Sequence, residues 1–128
     1  MVVVKEERRA FPPLYLLKPS QQFQLFEDKV EEIVDGFALE RTTNRALREV
    51  MKRKGWKRIR KMKKRFKRFD SYPLEARKII YNAFYRLFQR LDWAESSGSE
   101  REIEYKVWIT SSIDYLYKLV NLIEERYG

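Results

Sequence analysis

Apolar residues recur along most of the chain at alternating spacings of three and four, which is the pattern of amphipathic α-helices. The first row follows Pro19 and Ser20, and Ser20 is a favourable N-cap, so a helix is predicted to begin there. Acidic residues fill much of the rest of this helix, and Gly36 is expected to end or loosen it. The row consists of Phe23, Phe26, Val30, Ile33 and Phe37.

A second helical segment is predicted from about Thr42 to Phe69, because the residues at 42–44 are all acceptable caps. Its apolar row is interrupted only at Gly55 and consists of Leu47, Met51, Ile59, Met62, Phe66 and Phe69. Basic residues followed by glycine are also typical of a helix end. The segment is therefore either one long helix or two shorter helices bent at Gly55.

A third helix is predicted from Ser71 to about Trp93, with Pro73 in its first turn, where proline is favoured. One face carries Ala76, Ile80, Ala83, Leu87 and Leu91, and another carries Tyr81, Phe84, Tyr85 and Phe88. The Ser-Ser-Gly sequence at 96–98 then marks the clearest break in the chain.

The fourth helix is predicted from Ser99, which has the capping-box spacing with Glu102, to about Tyr127. Its main row is Tyr105, Ile109, Ile113, Leu116, Val120, Ile123 and Tyr127, and a second row is Trp108, Tyr115, Leu119 and Leu122. A helix needs one apolar face to join a core. The second apolar rows of the third and fourth helices have two explanations. These helices could lie at the centre of a bundle, or their extra faces could pack against other copies of the protein, and the two explanations are compatible.

Residues 1–19 contain Pro12, Pro13 and Pro19, which oppose helix formation and favour an extended path. Their apolar side chains suggest an arm that docks, for example on a neighbouring subunit. A length of 128 residues suits one domain. The predicted fold is all-α: an extended arm at 1–19 and a four-helix-bundle-like domain at 20–128.

The composition removes most enzyme chemistry. The chain has no Cys and no His, and its four glycines are too far apart to form a phosphate-binding loop. The carboxylates Glu27, Glu31, Glu32 and Asp35 could bind a metal ion, but acids on such a helix are commonly just solvated. We expect no enzymatic activity, no cofactor and no metal site.

The first residues lack the charge order of a signal peptide, and no apolar stretch approaches the length of a membrane span. We therefore expect an intracellular protein without a membrane partner. Few amide side chains alongside many Glu, Lys and Arg are typical of proteins from hot environments.

The positive charge is concentrated in one segment, 41–69. Residues 41–68 contain fifteen basic residues and the single acid Glu49, a net of +14, whereas the other 100 residues carry −5. This excess is larger than a merely solvated face needs, and the acidic first helix could neutralise only part of it. A basic amphipathic helix could also lie on an anionic membrane, but the apolar row here is narrow and is needed for packing. Nucleic acid is the favoured partner.

Within this segment a row of cations lies about half a turn from the apolar row, so one face is expected to be anchored in the core while the other presents the cations to phosphates. Nearly all the amides that commonly read bases are absent from it, so we expect little sequence preference. Trp56, Tyr72 and Trp93 are weaker candidates for base stacking. The predicted nucleic-acid-binding residues are Arg45, Lys52, Arg53, Lys57, Arg60, Lys61, Lys63, Lys64, Lys67 and Arg68.

This layout of a proline-containing arm, a basic helical segment and two long aromatic-rich helices resembles the major coat proteins of filamentous archaeal viruses. The resemblance implies a helical bundle that wraps double-stranded DNA and builds a filament, with residues 41–68 on the DNA. It also implies contacts with other copies, or with a paralogous subunit, through the helices at 71–94 and 99–127. The basic run begins only at Arg41, which departs from the family pattern of a basic N-terminal arm.

The alternative is a small helical accessory subunit of a ribonucleoprotein or replication complex, of the CRISPR small-subunit or primase-accessory type. A chromatin-like architectural protein comes third. Double-stranded DNA is favoured over RNA as the ligand. A virion location is expected for a coat protein and a cytoplasmic one otherwise.

Overall fold

The computed structural model describes residues 17–36, 47–96 and 101–128, and in these ranges the chain is helical with no strands. The helices are α1, Pro19–Gly36; α2, residues 47–68; α3, Leu74–Ser96; and α4, Arg101–Tyr127. A short 3₁₀ turn, Phe69–Ser71, joins α2 to α3. The predicted all-α fold is confirmed. The arm at 1–16 and the caps at 42–44 and 99 lie outside the described residues.

The four helices enclose one hydrophobic core. Helix α1 packs against α2 and α3, and α4 packs against the same two helices. Helices α2 and α3 therefore occupy opposite corners of the bundle. This placement leaves the outer side of α2 and the side formed by α3 and α4 facing different directions.

An aromatic cluster fills the centre of the core. Phe66 of α2 stacks on Phe23 of α1 with ring centroids 4.9 Å apart, and it contacts Phe84 of α3 at 5.5 Å. Trp108 of α4 lies 5.6 Å from Phe26 and donates its indole N–H to the Leu87 carbonyl over 2.8 Å. These contacts tie all four helices to one another, and the donated hydrogen bond satisfies the buried indole nitrogen.

The start of α1 differs slightly from the prediction. The first helical residue is Pro19, one position before the expected N-cap Ser20. The Gln21 side chain accepts a hydrogen bond from the Lys18 N–H at 2.8 Å. In a capping box, the residue three positions after the N-cap accepts a hydrogen bond from the N-cap N–H in the same way. Asp70, from the turn after α2, accepts hydrogen bonds from both the Ser20 N–H and the Ser20 hydroxyl. The helix is thus capped across the bundle, which the local sequence could not indicate.

Helix α2 is continuous through Gly55, which settles the choice between one helix and two. Residues Met51–Gly55 form a π turn in which the Trp56 N–H donates to the Met51 carbonyl. The buried positions Leu47, Met51, Gly55 and Ile59 recur every four residues, and in a regular α-helix they would drift by about 120°. The wider π turn removes that drift. A Cβ at Gly55 would overlap the Met51 Sδ atom and lie 2.9 Å from its Cε atom, so a larger residue there would require the Met51 side chain to shift.

The second apolar rows of α3 and α4 are divided between core and surface. Phe84, Phe88, Trp108 and Leu119 are buried, whereas Tyr85, Tyr115 and Leu122 are about 40% exposed. The inner members thus belong to the bundle core, as the first interpretation requires. The outer members remain available to a partner.

We predict that Asp70→Ala lowers the free energy of unfolding by about 1–2 kcal/mol, because α1 loses its cap. Chemical denaturation measures the change. Glu31→Ala is the matched control, since it removes an exposed α1 carboxylate and is expected to change stability by less than about 0.5 kcal/mol. Equal effects of the two substitutions would contradict a capping role for Asp70.

Candidate nucleic-acid interface

Helix α2 has one face in the core and the other in solvent. Ile59, Met62 and Phe66 are fully buried. At about 100° per residue, the exposed Lys57 and Lys64 lie on the opposite side of the helix. The predicted separation of an apolar row from a cationic row is present in the folded chain.

Three cations on the flanks of α2 are paired with neighbouring helices. Arg58 contacts Asp114 of α4 at 2.8 Å, and its guanidinium lies 4.7 Å from the centre of the Tyr117 ring. Lys63 contacts Glu27 of α1 at 3.0 Å. Arg65 donates to both carboxylate oxygens of Glu124.

The Arg65–Glu124 contact is the strongest of the three. Arg65 Nε donates to Glu124 over 2.9 Å, and Nη2 also donates to Asn121 over 2.7 Å. Hydrogen bonding to Arg65 lowers the pKa of the Glu124 carboxyl, and the same bond raises the pKa of Arg65. The pair is fully ionised at neutral pH and holds α2 against α4.

Among the remaining cations of α2, Arg48 makes a further contact and is therefore set apart. The others are exposed, and none has a carboxylate of the described residues within 4 Å. We call this set of nine the cation ridge: Lys52, Arg53, Lys54, Lys57, Arg60, Lys61, Lys64, Lys67 and Arg68. Within the described ranges the bundle leaves the charges of the ridge without ion pairs.

Eight of the ten predicted binding residues belong to the cation ridge. Lys63 does not, because its ammonium is paired with Glu27. Arg45 lies outside the described residues. Lys54 was not among the predicted residues, but in the π turn it is exposed together with Lys52 and Arg53.

The ridge suits a long polyanion in its dimensions. From Lys52 to Arg68 it extends about 24 Å along the helix axis, at 1.5 Å per residue. A DNA duplex carries about one phosphate charge per 1.7 Å of its axis, or roughly 14 over that length. Because the strands wind around the axis, the ridge would face only the phosphates on one side of the duplex.

The aromatic candidates for base stacking are partly buried or lie on another helix. Trp56 is half-buried and packs against the core, and Tyr72 contacts Phe69 with ring centroids 4.9 Å apart. Trp93 is 68% exposed but belongs to α3. Of the three, only Trp56 lies on α2 beside the ridge cations, and much of its ring is covered by the core.

The acids of α1 are engaged separately. Glu32 pairs with Lys29, and Asp28 accepts a hydrogen bond from Gln24. In the part of the chain that the structure describes, no three acidic side chains meet as a possible metal site.

Comparison of the chain with protein-family models, with curated proteins and with solved structures finds no match. Among the described helices, none combines the length and the apolar character needed to cross a membrane.

We predict that the contribution of Glu124 to stability depends on pH. Because its folded-state pKa is lowered, the stabilisation is complete above the ordinary carboxyl pKa and is lost as the pH falls through the folded-state value. Glu124→Gln should lower the free energy of unfolding at neutral pH by about 1 kcal/mol. This deficit should shrink below about pH 4. Urea unfolding at a series of pH values tests it, with the exposed neighbour Glu125→Gln as the control. A deficit that is independent of pH would rule out the ion pair as its origin.

Proposed function

We propose that this protein is a non-enzymatic nucleic-acid-binding protein that coats or packages double-stranded DNA. The observation that carries the proposal is the cation ridge, which has no neutralising carboxylates among the described residues. Its ligand supplies the missing negative charge. The other face of the same helix is anchored in the core, so the ridge is presented on a rigid support.

The energetics favour phosphates as that charge. Like charges three and four residues apart, such as Lys57, Arg60 and Lys64, each destabilise a helix by a few tenths of a kcal/mol. Binding to a polynucleotide removes this repulsion and releases condensed counterions. The bundle tolerates the repulsion in the free protein because α2 is also held by its buried face.

Duplex DNA is favoured over a single strand for two reasons. The ridge extends about 24 Å along one helix whose other face is held by the core, which suits a stiff, regular ligand. Non-specific single-strand binders add aromatic side chains on which bases stack, and Trp56 is half-buried on the core instead. Contacts through lysine and arginine position a protein on DNA without reading its sequence, so binding has little sequence preference.

Self-assembly follows from the apolar side chains left on the outside of α3 and α4. Outside the groove between them, these helices expose Leu74, Tyr85, Trp93, Val107 and Leu122. Exposed apolar groups that adjoin one another can form a surface that contacts another protein. We assign them to contacts with other copies or with a paralogous subunit, as in a viral coat that encloses DNA.

The same exposed groups also fit a second function, that of a small accessory subunit in a ribonucleoprotein or replication complex. In that case α3 and α4 bind a different protein, and the ridge holds RNA or a single strand. The two functions differ in what the purified protein does alone.

We predict that replacing Arg53, Lys57, Arg60, Lys64 and Lys67 by Gln weakens binding to all duplex sequences alike. The salt dependence should flatten by about 0.9 in log–log slope for each phosphate contact that is lost. Fluorescence anisotropy at several salt concentrations measures both effects. Gln keeps a helix propensity similar to that of Lys and Arg.

The control replaces five cations on other faces, Lys18, Lys78, Lys106, Lys118 and Arg126, by Gln. It lowers the net charge by the same amount and should retain most of the affinity. Equal losses in the two variants would show that only the net charge of the protein matters. Unchanged affinity of the ridge variant would remove the assignment of these residues.

We also predict that the purified protein forms ordered polymers with duplex DNA. Negative-stain imaging with and without duplex DNA tests this, and an equal mass of single-stranded RNA is the comparison. A monomer or dimer that binds only single strands would instead favour the accessory-subunit function.

A further inference from the structure

A second basic site lies between α3 and α4. A groove of about 230 Å³ opens there, lined by Arg86, Leu87 and Arg90 of α3 and by Ser111 and Tyr115 of α4. Both arginines are exposed, and neither has a carboxylate of the described residues within 4 Å. They stand four residues apart, so they share one face of α3 and repel each other unless an anion lies between them.

The chemistry of the groove suits a phosphate group attached to a flat or sugar-like moiety. Two guanidinium groups can donate paired hydrogen bonds to phosphate oxygens. The Tyr115 ring is 40% exposed at the groove and offers an aromatic surface beside them. The Ser111 hydroxyl donates to the Val107 carbonyl over 2.7 Å, so Ser111 serves mainly as a small residue that leaves the groove open.

The size of the groove limits what it can hold. Pockets that enclose a whole cofactor usually measure about 300–1,000 Å³, and this groove is smaller and open to solvent. It fits one phosphate with its neighbouring sugar or base, as part of a longer chain.

The groove and the cation ridge lie on different sides of the bundle. Helix α2 packs against α1 and α4, and α3 stands at the opposite corner. A straight duplex that lies along the ridge therefore does not enter the groove.

We propose that Arg86, Arg90 and Tyr115 form a second phosphate-binding site, through which one protein molecule holds a second nucleic-acid segment. The inference rests on the proposed function, because the first segment occupies the ridge. A protein with two such sites bridges neighbouring segments and compacts DNA in addition to covering it.

A bridging assay tests this site. The protein is bound to an immobilised duplex at low salt, and capture of a second, fluorescent duplex is measured. The native protein should capture it. The variant Arg86→Gln/Arg90→Gln should still occupy the immobilised duplex but capture about tenfold less of the second one, because two charge-assisted phosphate contacts are lost. Ser111→Glu, which places a carboxylate in the groove, should have the same effect.

The control is Lys78→Gln/Arg126→Gln, which removes two exposed cations of the same helices that do not line the groove. Sedimentation of all variants confirms an equal oligomeric state. Full capture by the groove variants, or an equal loss in the control, would overturn the second site and leave the ridge assignment intact. A native protein that does not bind even the immobilised duplex would instead overturn the proposed function, and this inference with it.

The phosphate in the groove could come from a nucleic-acid chain or from a free nucleotide. Titration of the native protein with adenosine monophosphate and with a short oligonucleotide distinguishes these two sources. Chemical shifts of the Tyr115 ring should move with a short oligonucleotide at concentrations at which the mononucleotide has little effect. Equal affinity for both would make the groove a free-nucleotide site and would overturn the bridging proposal.

Discussion

Burial of the apolar face of α2 is the interaction on which the rest of the structure depends. An isolated helix with so many like charges would be unstable in water. Full burial of a side chain such as Phe66 contributes about 1.5–3 kcal/mol, and Ile59 and Met62 are buried as completely. Because these residues fix the rotation of the helix about its axis, they also decide which cations face outward. The core thus determines the position of the charge.

The flank ion pairs mark the boundary between core and ridge. Arg58 and Arg65 are held by acids of α4, and Lys63 is held by an acid of α1. The neighbouring helices therefore neutralise the cations nearest the core, where desolvation would otherwise be most costly, and leave the outermost ones unpaired. That division is consistent with a surface adapted to a polyanion, since the same acids could not reach the ridge from where α1 and α4 stand.

Sequence periodicity was sufficient for the helices, their buried rows and most of the ridge, because amphipathic spacing is a local property. It was insufficient wherever tertiary contacts decide the outcome. Nothing near Lys63 in sequence indicates its pairing with Glu27, and nothing near Ser20 indicates that Asp70, fifty residues away, caps α1. The π turn at Gly55 was ambiguous for another reason. A row that recurs every four residues fits a bent pair of helices as well as one underwound helix. Continuity is favoured only because the apolar side chains on both sides of Gly55 are buried in the same core.

The concentration of charge on α2 also links stability to binding. Salt screens the repulsion among the ridge cations and so favours the folded protein, yet the same salt weakens contacts with phosphates. A bound polyanion screens the ridge more effectively than mobile ions, and any ligand that binds only the folded state stabilises it by mass action. The bundle is therefore held by its aromatic core when alone, and under the proposed function it would gain further stability from neutralisation of α2. A surface of this kind is disadvantageous in a protein that works without a ligand, which is the physical reason for proposing a polyanionic partner.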